Sequence, residues 1–424
     1  MIKGNFVEFY KNKINIRKVI EEQKLHDTDE ALFVCDLDDL RKKYDIWNQL
    51  MPRVKPYYAV KCNDDPVVLK TLADLGANFD CASMGEIKMV LAENVQPDRI
   101  IFAQPCKPLT HLAYAKQNGV LTSTVDSEHE ILKLHRYFPE SNLVIRIRCD
   151  ATDVKLSFGE KFGCNAKTEA PALMLLAKEL NLNVIGISFH VGTGCNELPA
   201  YDRAITESKI LFDFGTKLGF QMTLLDIGGG FPGSDHVTFK KICDIVGRSL
   251  ERNFPEDNVN IIAEPGRYFV ESAYTLICKI HSKRVAKSSD GSPVKHYYLN
   301  DGVYVSFNNV VTENYKVVVE HLLDNDKTVP PTFNSILWGP TGDSLDKVGE
   351  NLQLPDFKCG DFLIFPNMGA YSLPLSTRFN GFGSPNIAYF DKAITEDNVE
   401  QKFRRMRINS YAVLFNILKT SIIL

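Results

Sequence analysis

The chain has 424 residues, 44% of them hydrophobic, and a formal charge of −4; that is enough apolar material for two packed cores, it excludes a disordered chain, and it offers no basic stripe to a nucleic-acid backbone. The N-terminal MIKGNFVEFYKNKINIRKV interleaves charge with apolar residues and lacks the apolar core and cleavage site of a secretion signal, so a cytoplasmic protein is expected. Its ten cysteines form no C-x-x-C pair and read as reduced thiols, and His190 with Cys195 is too sparse a cluster for a structural metal.

From Lys55 to about Arg267, short β-branched or aromatic runs alternate with longer amphipathic stretches, as in parallel β/α architecture. Strands are expected at PYYAVK ending at Lys61, ANFDCA around Asp80, RIIFA ending at Ala103 and VLTSTVD ending at Asp126. They continue with LVIRIR around Arg146, VIGISFH ending at His190, TLLDIG ending at Gly228 and NIIAE ending at Glu264. Between them, Asp65–Gly76 sets Val67, Leu69, Leu72 and Leu75 at roughly helical spacing before a glycine stop; Ser127–Phe138, Ala170–Leu180 and His236–Leu250 are also helical in pattern. Eight strands separated by seven helices is the arithmetic of a (β/α)8 TIM barrel, spanning residues 36–272; an open doubly wound sheet would need fewer strands and a single switch point. Beyond it, YTLICKIHSKRV, KHYYLN, SILW, DFLIF and IAYF are separated by Gly, Pro and Asn turns. They predict a second, mainly β domain of residues 273–424, joined by residues 1–35 through Phe6–Tyr10 and Ala31–Cys35. The apolar tail Tyr411–Leu424 is too short to span a bilayer, and no membrane partner is expected.

In such a barrel the working side chains come from the C-terminal ends of the strands. Lys61, Asp80, Arg146, His190, the run Gly228-Gly229-Gly230 and Glu264-Pro265-Gly266-Arg267 all fall there. Desolvation at the end of YYAV is expected to lower the Lys61 pKa and free the neutral amine that a Schiff base needs, although a lone lysine at a strand end more often snorkels to water. Consecutive glycines let backbone N–H groups surround an anion, although alone they more often make a tight turn. Glu264 suits a ring nitrogen and Arg267 a phosphate, against the plain alternative of a surface ion pair, and His190 by itself is more often a core histidine. Their convergence on one barrel mouth points to pyridoxal 5′-phosphate.

The same residues carry a resemblance. PYYAVKCND, FDCASMGE, SFHVGTG, LDIGGGFPG, AEPGRYFV, NDGVYVSFN, WGPTGDSLD and NMGAYS resemble, in order, the motifs of eukaryotic ornithine decarboxylases, from about Phe33 to Tyr389. The resemblance implies a fold like that of alanine racemase, a homodimer with active sites shared across its interface, and conversion of L-ornithine to putrescine and carbon dioxide in polyamine biosynthesis. It assigns the cofactor's Schiff base to Lys61, ring stacking to His190 and the ring nitrogen to Glu264. Thr193, Gly230, Gly266, Arg267 and Tyr371 would hold the phosphate, flanked by Gly228, Gly229 and Pro265, and Asp80 and Arg146 would support the lysine and the ring.

The substrate's distal ammonium needs carboxylates, because a cation taken from water must be paired. Asp343 matches one such family residue, Glu313 falls where the family usually has aspartate, and Tyr304 lies in the preceding motif. Both acids would come from the partner subunit, with Lys161 pairing Asp346 across the interface. One position departs: the family reads W-G-P-T-C-D, and this chain has Gly342 before Asp343. In the family that cysteine reprotonates the α-carbon and is alkylated by α-difluoromethylornithine; a glycine can do neither. Three readings follow. The first is an active but slower or less faithful, inhibitor-resistant decarboxylase that takes its proton from Lys61 or water. The second is a non-catalytic regulator like the antizyme inhibitors, disfavoured by the retained Lys61, Glu264, Arg267 and Tyr371. The third is a decarboxylase of another basic amino acid, such as arginine, lysine or diaminopimelate. Diaminopimelate enzymes usually carry C-E where this chain has Gly342-Asp343, and a glutamate at 313 reaches one methylene further, which disfavours a longer substrate. An antizyme-like protein docking near Gln117–Pro139 is a further candidate partner.

Overall fold

The structure is a computed structural model and describes residues 14–156, 159–322, 331–391 and 404–406; the segments Phe6–Tyr10 and Tyr411–Leu424 lie outside the described residues. The chain divides into two compact units. One comprises Asp39–Ser272 with Gly369–Pro374, and the other the described residues of Met1–Asp38, Ala273–Met368 and Leu375–Leu424. Gly369–Pro374, which carries Tyr371, therefore groups with the barrel and not with its sequence neighbours.

The first strand, β1 (Leu32–Asp36), belongs to the β unit, and the barrel begins after it. Its strands are β2 (Val54–Ala59), β3 (Asn78–Cys81), β4 (Ile100–Phe102), β5 (Thr122–Val125) and β6 (Asn142–Arg148). After a short β7 (Val154–Leu156) come β8 (Asn183–His190), β9 (Thr193–Cys195), β10 (Leu224–Asp226) and β11 (Asn260–Ala263). The strands β2, β3, β4, β5, β6, β8, β10 and β11 close into a barrel of parallel neighbours, and they are the eight expected from the sequence; β7 and β9 form a separate ribbon. Tyr57, Ile101, Val144, Leu224 and Ile262 pack together inside the barrel. Because side chains alternate along a strand, the residues two further on, Ala59, Arg146, Asp226 and Glu264, return to the same inner face. The apolar plug thus gives way to a charged layer at the C-terminal mouth.

The connecting helices follow their sequence signals. Asp65 caps Pro66–Leu75, accepting from the Val67 N–H at 2.8 Å, and Gly76 ends it at φ +93°, a left-handed stop that glycine adopts without cost. Trp47, on the helix Leu37–Leu50, donates Nε1–H to the Val54 carbonyl at 2.8 Å and packs its ring against Phe231, Phe239, Tyr268 and Phe269. These buried rings wall the backs of two loops, the one after β10 and the one after β11, with geometry-specific contacts each worth about 0.5–1.5 kcal/mol beyond burial.

In the β unit, β1 lies between β12 (Tyr274–Lys287), antiparallel to it, and β18 (Asn386–Phe390), parallel. The sheet continues from β12 through β13 (Pro293–Leu299) and β15 (Phe333–Trp338) to β16 (Lys347–Leu354), while β17 (Phe362–Phe365) pairs with β12 and with β14 (Glu320–His321). Val34, Ile277, Ile364 and Ala388 form part of its core. From the segment Ala31–Cys35, residues 32–35 lie in β1 of this sheet, and β16 is an addition: Gly349, Glu350 and Asn351 interrupt its apolar alternation. Among the described residues, no helix is long and apolar enough to cross a membrane.

Candidate active site

Lys61, expected to end the first barrel strand, lies two residues past the end of β2 at Ala59, in a 3-10 turn over Val60–Cys62. That turn is pinned from several directions. Tyr58 Oη donates to the Asn63 carbonyl at 2.8 Å, Asn63 Nδ2 donates to the Gly369 carbonyl at 2.9 Å, and the Tyr371 N–H donates to the Cys62 carbonyl at 2.9 Å. Lys61 Nζ meets Asp80 Oδ2 at 2.6 Å. Asp80 is fully buried, whereas the Lys61 side chain keeps 43% of its surface accessible at the mouth of the barrel. The expected fall in the Lys61 pKa is overturned. Burial does press it down, but the charges of Asp80 and Glu264 and the Asp80 hydrogen bond outweigh burial, and the net shift is upward. The resting amine is therefore an ammonium held by Asp80, whose other oxygen, Oδ1, is buried without a hydrogen-bond partner.

Around this pair the acids are crowded. Glu264 and Asp226 are buried and hydrogen-bonded side chain to side chain. Burial raises Glu264 far above the usual carboxylate range, reinforced by the charges of Asp226 and Asp80; burial brings Asp226 to about 6. Glu86, which takes the Ala82 N–H on Oε2 at 2.6 Å, is likewise raised by burial to about 7. A site with this much latent negative charge suits a group that brings positive charge, such as a protonated ring nitrogen. His190 is held in the opposite sense: burial, then the cations Arg146 and Lys61, push its pKa well below 6.5. Its Nδ1 accepts the Gly192 N–H at 2.9 Å, which assigns the ring proton to Nε2 and leaves a neutral flat face. Arg146 stacks on Phe162 at 5.5 Å.

The glycine run forms a cradle that only glycine can form. Gly228 and Gly230 have φ of +63° and +97°. A Cβ at Gly229 would lie 2.7 Å from His190 Nε2, and one at Gly230 would lie 2.8 Å from the Gly192 carbonyl oxygen. Asp226 Oδ1 accepts the Gly228 N–H at 2.9 Å and Tyr201 Oη donates to the Gly229 carbonyl at 3.0 Å, so the run is tied down at its first two residues. Pro265 accepts the Ala59 N–H on its carbonyl at 3.2 Å, and a Cβ at Gly266 would fall 2.7 Å from Cys62 Cβ, so the β11 loop lies hard against the Lys61 turn. Arg267 sits over the Tyr371 ring at 5.2 Å, and Tyr371 takes the left-handed φ of +54°. Thr193 starts β9, three residues past the β8 strand end. The barrel unit thus brings the sequence-predicted cofactor residues to one mouth and fits pyridoxal phosphate: an amine, a flat neutral ring face, a buried acid, a glycine cradle and an arginine. Asp226, Tyr201 and Glu86 were missed as contributors because each lies inside a run that reads as core or ordinary helix.

The residues expected at the substrate lie in the β unit. Tyr304 Oη donates to Asp343 Oδ2 at 2.5 Å, and the Leu345 N–H donates to Asp343 Oδ1 at 2.9 Å; that backbone bond, then Tyr304, keeps the Asp343 carboxyl below its usual range and ionised. Glu313 closes the short helix Asn308–Thr312 and is half-exposed. Gly342 donates its N–H to Asn380 Oδ1 at 3.2 Å, and nothing stands within 4 Å of a Cβ built on it. Asp346 is buried and accepts from the Val303 N–H at 2.8 Å, the Thr341 N–H at 2.9 Å and Thr341 Oγ at 2.7 Å, so it stitches the Tyr304 loop to the Asp343 loop. Lys161 is exposed in the barrel unit; a pairing of Lys161 with Asp346 of a second subunit is a proposal that these contacts do not require.

Fold and site together define a barrel enzyme that uses pyridoxal phosphate. The profile of the family described as pyridoxal-dependent decarboxylase, pyridoxal binding domain, matches residues 37–271, and the chain belongs to that family. It is 49% identical over 392 residues to ornithine decarboxylase 2 of Drosophila melanogaster, covering 92% of this chain and 99% of that one. It is also 41% identical over 386 residues to antizyme inhibitor 2 of Xenopus laevis, covering 88% and 84%. The crystal structure of the Paramecium bursaria Chlorella virus arginine decarboxylase superposes with a TM-score of 0.84 at 38% identity, covering 88% of this chain and 99% of that one.

Proposed function

We propose that this chain is a cytoplasmic ornithine decarboxylase that converts L-ornithine to putrescine and carbon dioxide and works as a homodimer with shared active sites. The observation that carries the reading is the set of Lys61 on Asp80, neutral His190 and the Asp226–Glu264 pair at one barrel mouth. Bound pyridoxal phosphate supplies the electron sink for the pair left behind when the α-carboxylate departs. Lys61 Nζ would bind the cofactor, with Asp80 Oδ2 orienting that nitrogen. Glu264 would balance a protonated ring nitrogen, His190 would offer its neutral face to the ring, and the glycine cradle with Arg267 and Tyr371 would hold the phosphate. Asp343, kept ionised by Leu345 and Tyr304, and Glu313, both from the partner subunit, pair the distal ammonium of the substrate. With no side chain at Gly342, Lys61 Nζ or a water delivers the proton that the α-carbon takes.

The test is product analysis by the purified, cofactor-loaded protein offered ornithine, lysine and arginine. Putrescine formation with the highest kcat/KM for ornithine is expected, and a clear preference for lysine or arginine would replace the substrate. The similarity to an antizyme inhibitor and the glycine at 342 favour a second reading, a catalytically impaired regulator that binds an antizyme-like protein. Absence of both turnover and a cofactor absorbance band would select it.

The open space at Gly342 makes a further prediction. Gly342→Cys should fit without displacing a neighbour, raise turnover by about a hundredfold, the lower end of what a positioned acid contributes, and make the protein sensitive to α-difluoromethylornithine. Unchanged turnover and continued resistance would show that the acid is delivered from elsewhere.

A further inference from the structure

Glu271 lies four residues beyond Arg267, past the end of the short helix Arg267–Val270, and its side chain is 8% exposed. Burying a carboxylate is costly unless it is paired and hydrogen-bonded, and here every contact leads to the wall of the phosphate pocket. Oε1 meets Arg267 Nη1 at 3.1 Å. Oε2 accepts from the Gly233 N–H at 3.1 Å, the Ser234 N–H at 2.9 Å and Ser234 Oγ at 3.1 Å. The Glu271 backbone carbonyl accepts the Gly369 N–H at 3.3 Å, at the start of the segment that carries Tyr371. A Cβ on Gly233 would lie 2.5 Å from the Arg267 carbonyl oxygen and 2.6 Å from Glu271 Cβ, so the loop that follows the glycine run is pressed onto this one residue. Glu271 therefore touches the glycine loop, the arginine and the tyrosine segment, the three pieces that the cofactor reading places around the phosphate.

We infer that Glu271 is a positioning residue for the phosphate end of the cofactor: it aims the Arg267 guanidinium and fixes the Gly233–Ser234 loop, and so sets how much affinity the phosphate contributes. The inference rests on the cofactor site described above. An arginine fork is planar and rigid, so the bond from Nη1 to Glu271 fixes its plane and the direction in which it meets an anion. Without that carboxylate, a long side chain must be ordered at the moment of binding, which weakens affinity by the rotamer entropy lost. The negative charge of Glu271 is not turned against the phosphate, because three loop donors and Arg267 already neutralise it, and the buried Lys43 ammonium, which donates to the Gly233 carbonyl, lies within electrostatic reach.

The experiment compares pyridoxal phosphate with pyridoxal, which has the same ring and aldehyde and no phosphate, by absorbance titration of the full-length apoprotein. For Glu271→Gln, whose amide oxygen still accepts from the loop but whose charge on Arg267 is gone, the Kd for pyridoxal phosphate should rise at least about tenfold, and that for pyridoxal should stay within about twofold. Inorganic phosphate should lose potency as a competitor by the same factor as pyridoxal phosphate loses affinity. Glu271→Asp, which keeps the charge, should recover part of the loss. Should Glu271→Gln fail to fold, Ser234→Ala, which removes one of the three loop contacts, is read in the same way, with a smaller rise in the Kd for pyridoxal phosphate and none for pyridoxal. Equal weakening of both ligands, or unchanged or tighter pyridoxal phosphate binding, overturns the inference. A native chain with no preference for pyridoxal phosphate over pyridoxal overturns the cofactor reading itself, and the inference with it.

Discussion

Lys61→Ala and Lys61→Arg are both expected to lose carbon dioxide release by about a thousandfold or more, the scale on which a covalent and proton-transfer group contributes, and they should differ in stability. Alanine strands Asp80, a fully buried carboxylate whose Oδ1 has no hydrogen-bond partner and whose Oδ2 has its cation at 2.6 Å. An uncompensated buried charge is among the few lesions expected to cost several kcal/mol, so the alanine variant should melt well below the native apoprotein. Arginine keeps a cation beside Asp80 but cannot be deprotonated to bind an aldehyde, so it should retain most of the stability and none of the activity. Activity in the arginine variant would show that Lys61 serves only as a counter-ion to Asp80.

Glu264→Gln is the second large effect, and here activity and stability are expected to move in opposite directions. Glutamine cannot balance a protonated ring nitrogen, and loss of one aligned charge of this kind costs about a hundredfold to a thousandfold in kcat. In the apoprotein, by contrast, Glu264 and Asp226 are buried against each other, and both carboxyls are raised, Asp226 from 3.8 to about 6. A raised carboxyl binds its proton more tightly folded than unfolded. The pair therefore favours the fold below about pH 4, and stability is lost as pH rises through about 6. Removing one of the two charges should flatten that slope and raise the apoprotein melting temperature near pH 8. Thermal unfolding of the native and Glu264→Gln apoproteins between pH 4 and pH 8 checks both the sign and the window. A variant that melts lower than the native chain at pH 8 would contradict the reading of Glu264 and Asp226 as a pair of raised, mutually buried carboxyls.

Much of this site could be read from the sequence because apolar strands ending in a polar residue are a local signal. YYAV before Lys61, ISF before His190 and NIIA before Glu264 each mark where a buried strand reaches the mouth, and all eight barrel strands are legible as short apolar runs between helical patterns. What stayed hidden depends on through-space neighbours. The direction of the Lys61 pKa shift depends on Asp80, nineteen residues away: desolvation, the force visible from YYAV, is the largest single influence, but the charges and the Asp80 hydrogen bond that only the closed barrel brings near together outweigh it. Asp226 follows two leucines and reads as the end of a core strand; its partner Glu264 lies on the neighbouring strand's exit, and the register that joins them is set by barrel closure. Glu271 looks like an isolated acid between Val270 and Ser272, and its role appears only when the loop after the glycines folds back over it. The sheet strand Lys347–Leu354 was missed for a different reason. Its register is broken by irregularities opposite Ser335 and Leu337, and strict alternation of apolar and polar residues is lost there.

The assignment stands or falls on which nitrogen holds the cofactor. Loading the purified protein with pyridoxal phosphate, reducing it with borohydride and mapping the labelled peptide by mass spectrometry tests this directly. The label is expected on Lys61 alone, at one per chain; a label on another lysine, or none at all, would contradict it.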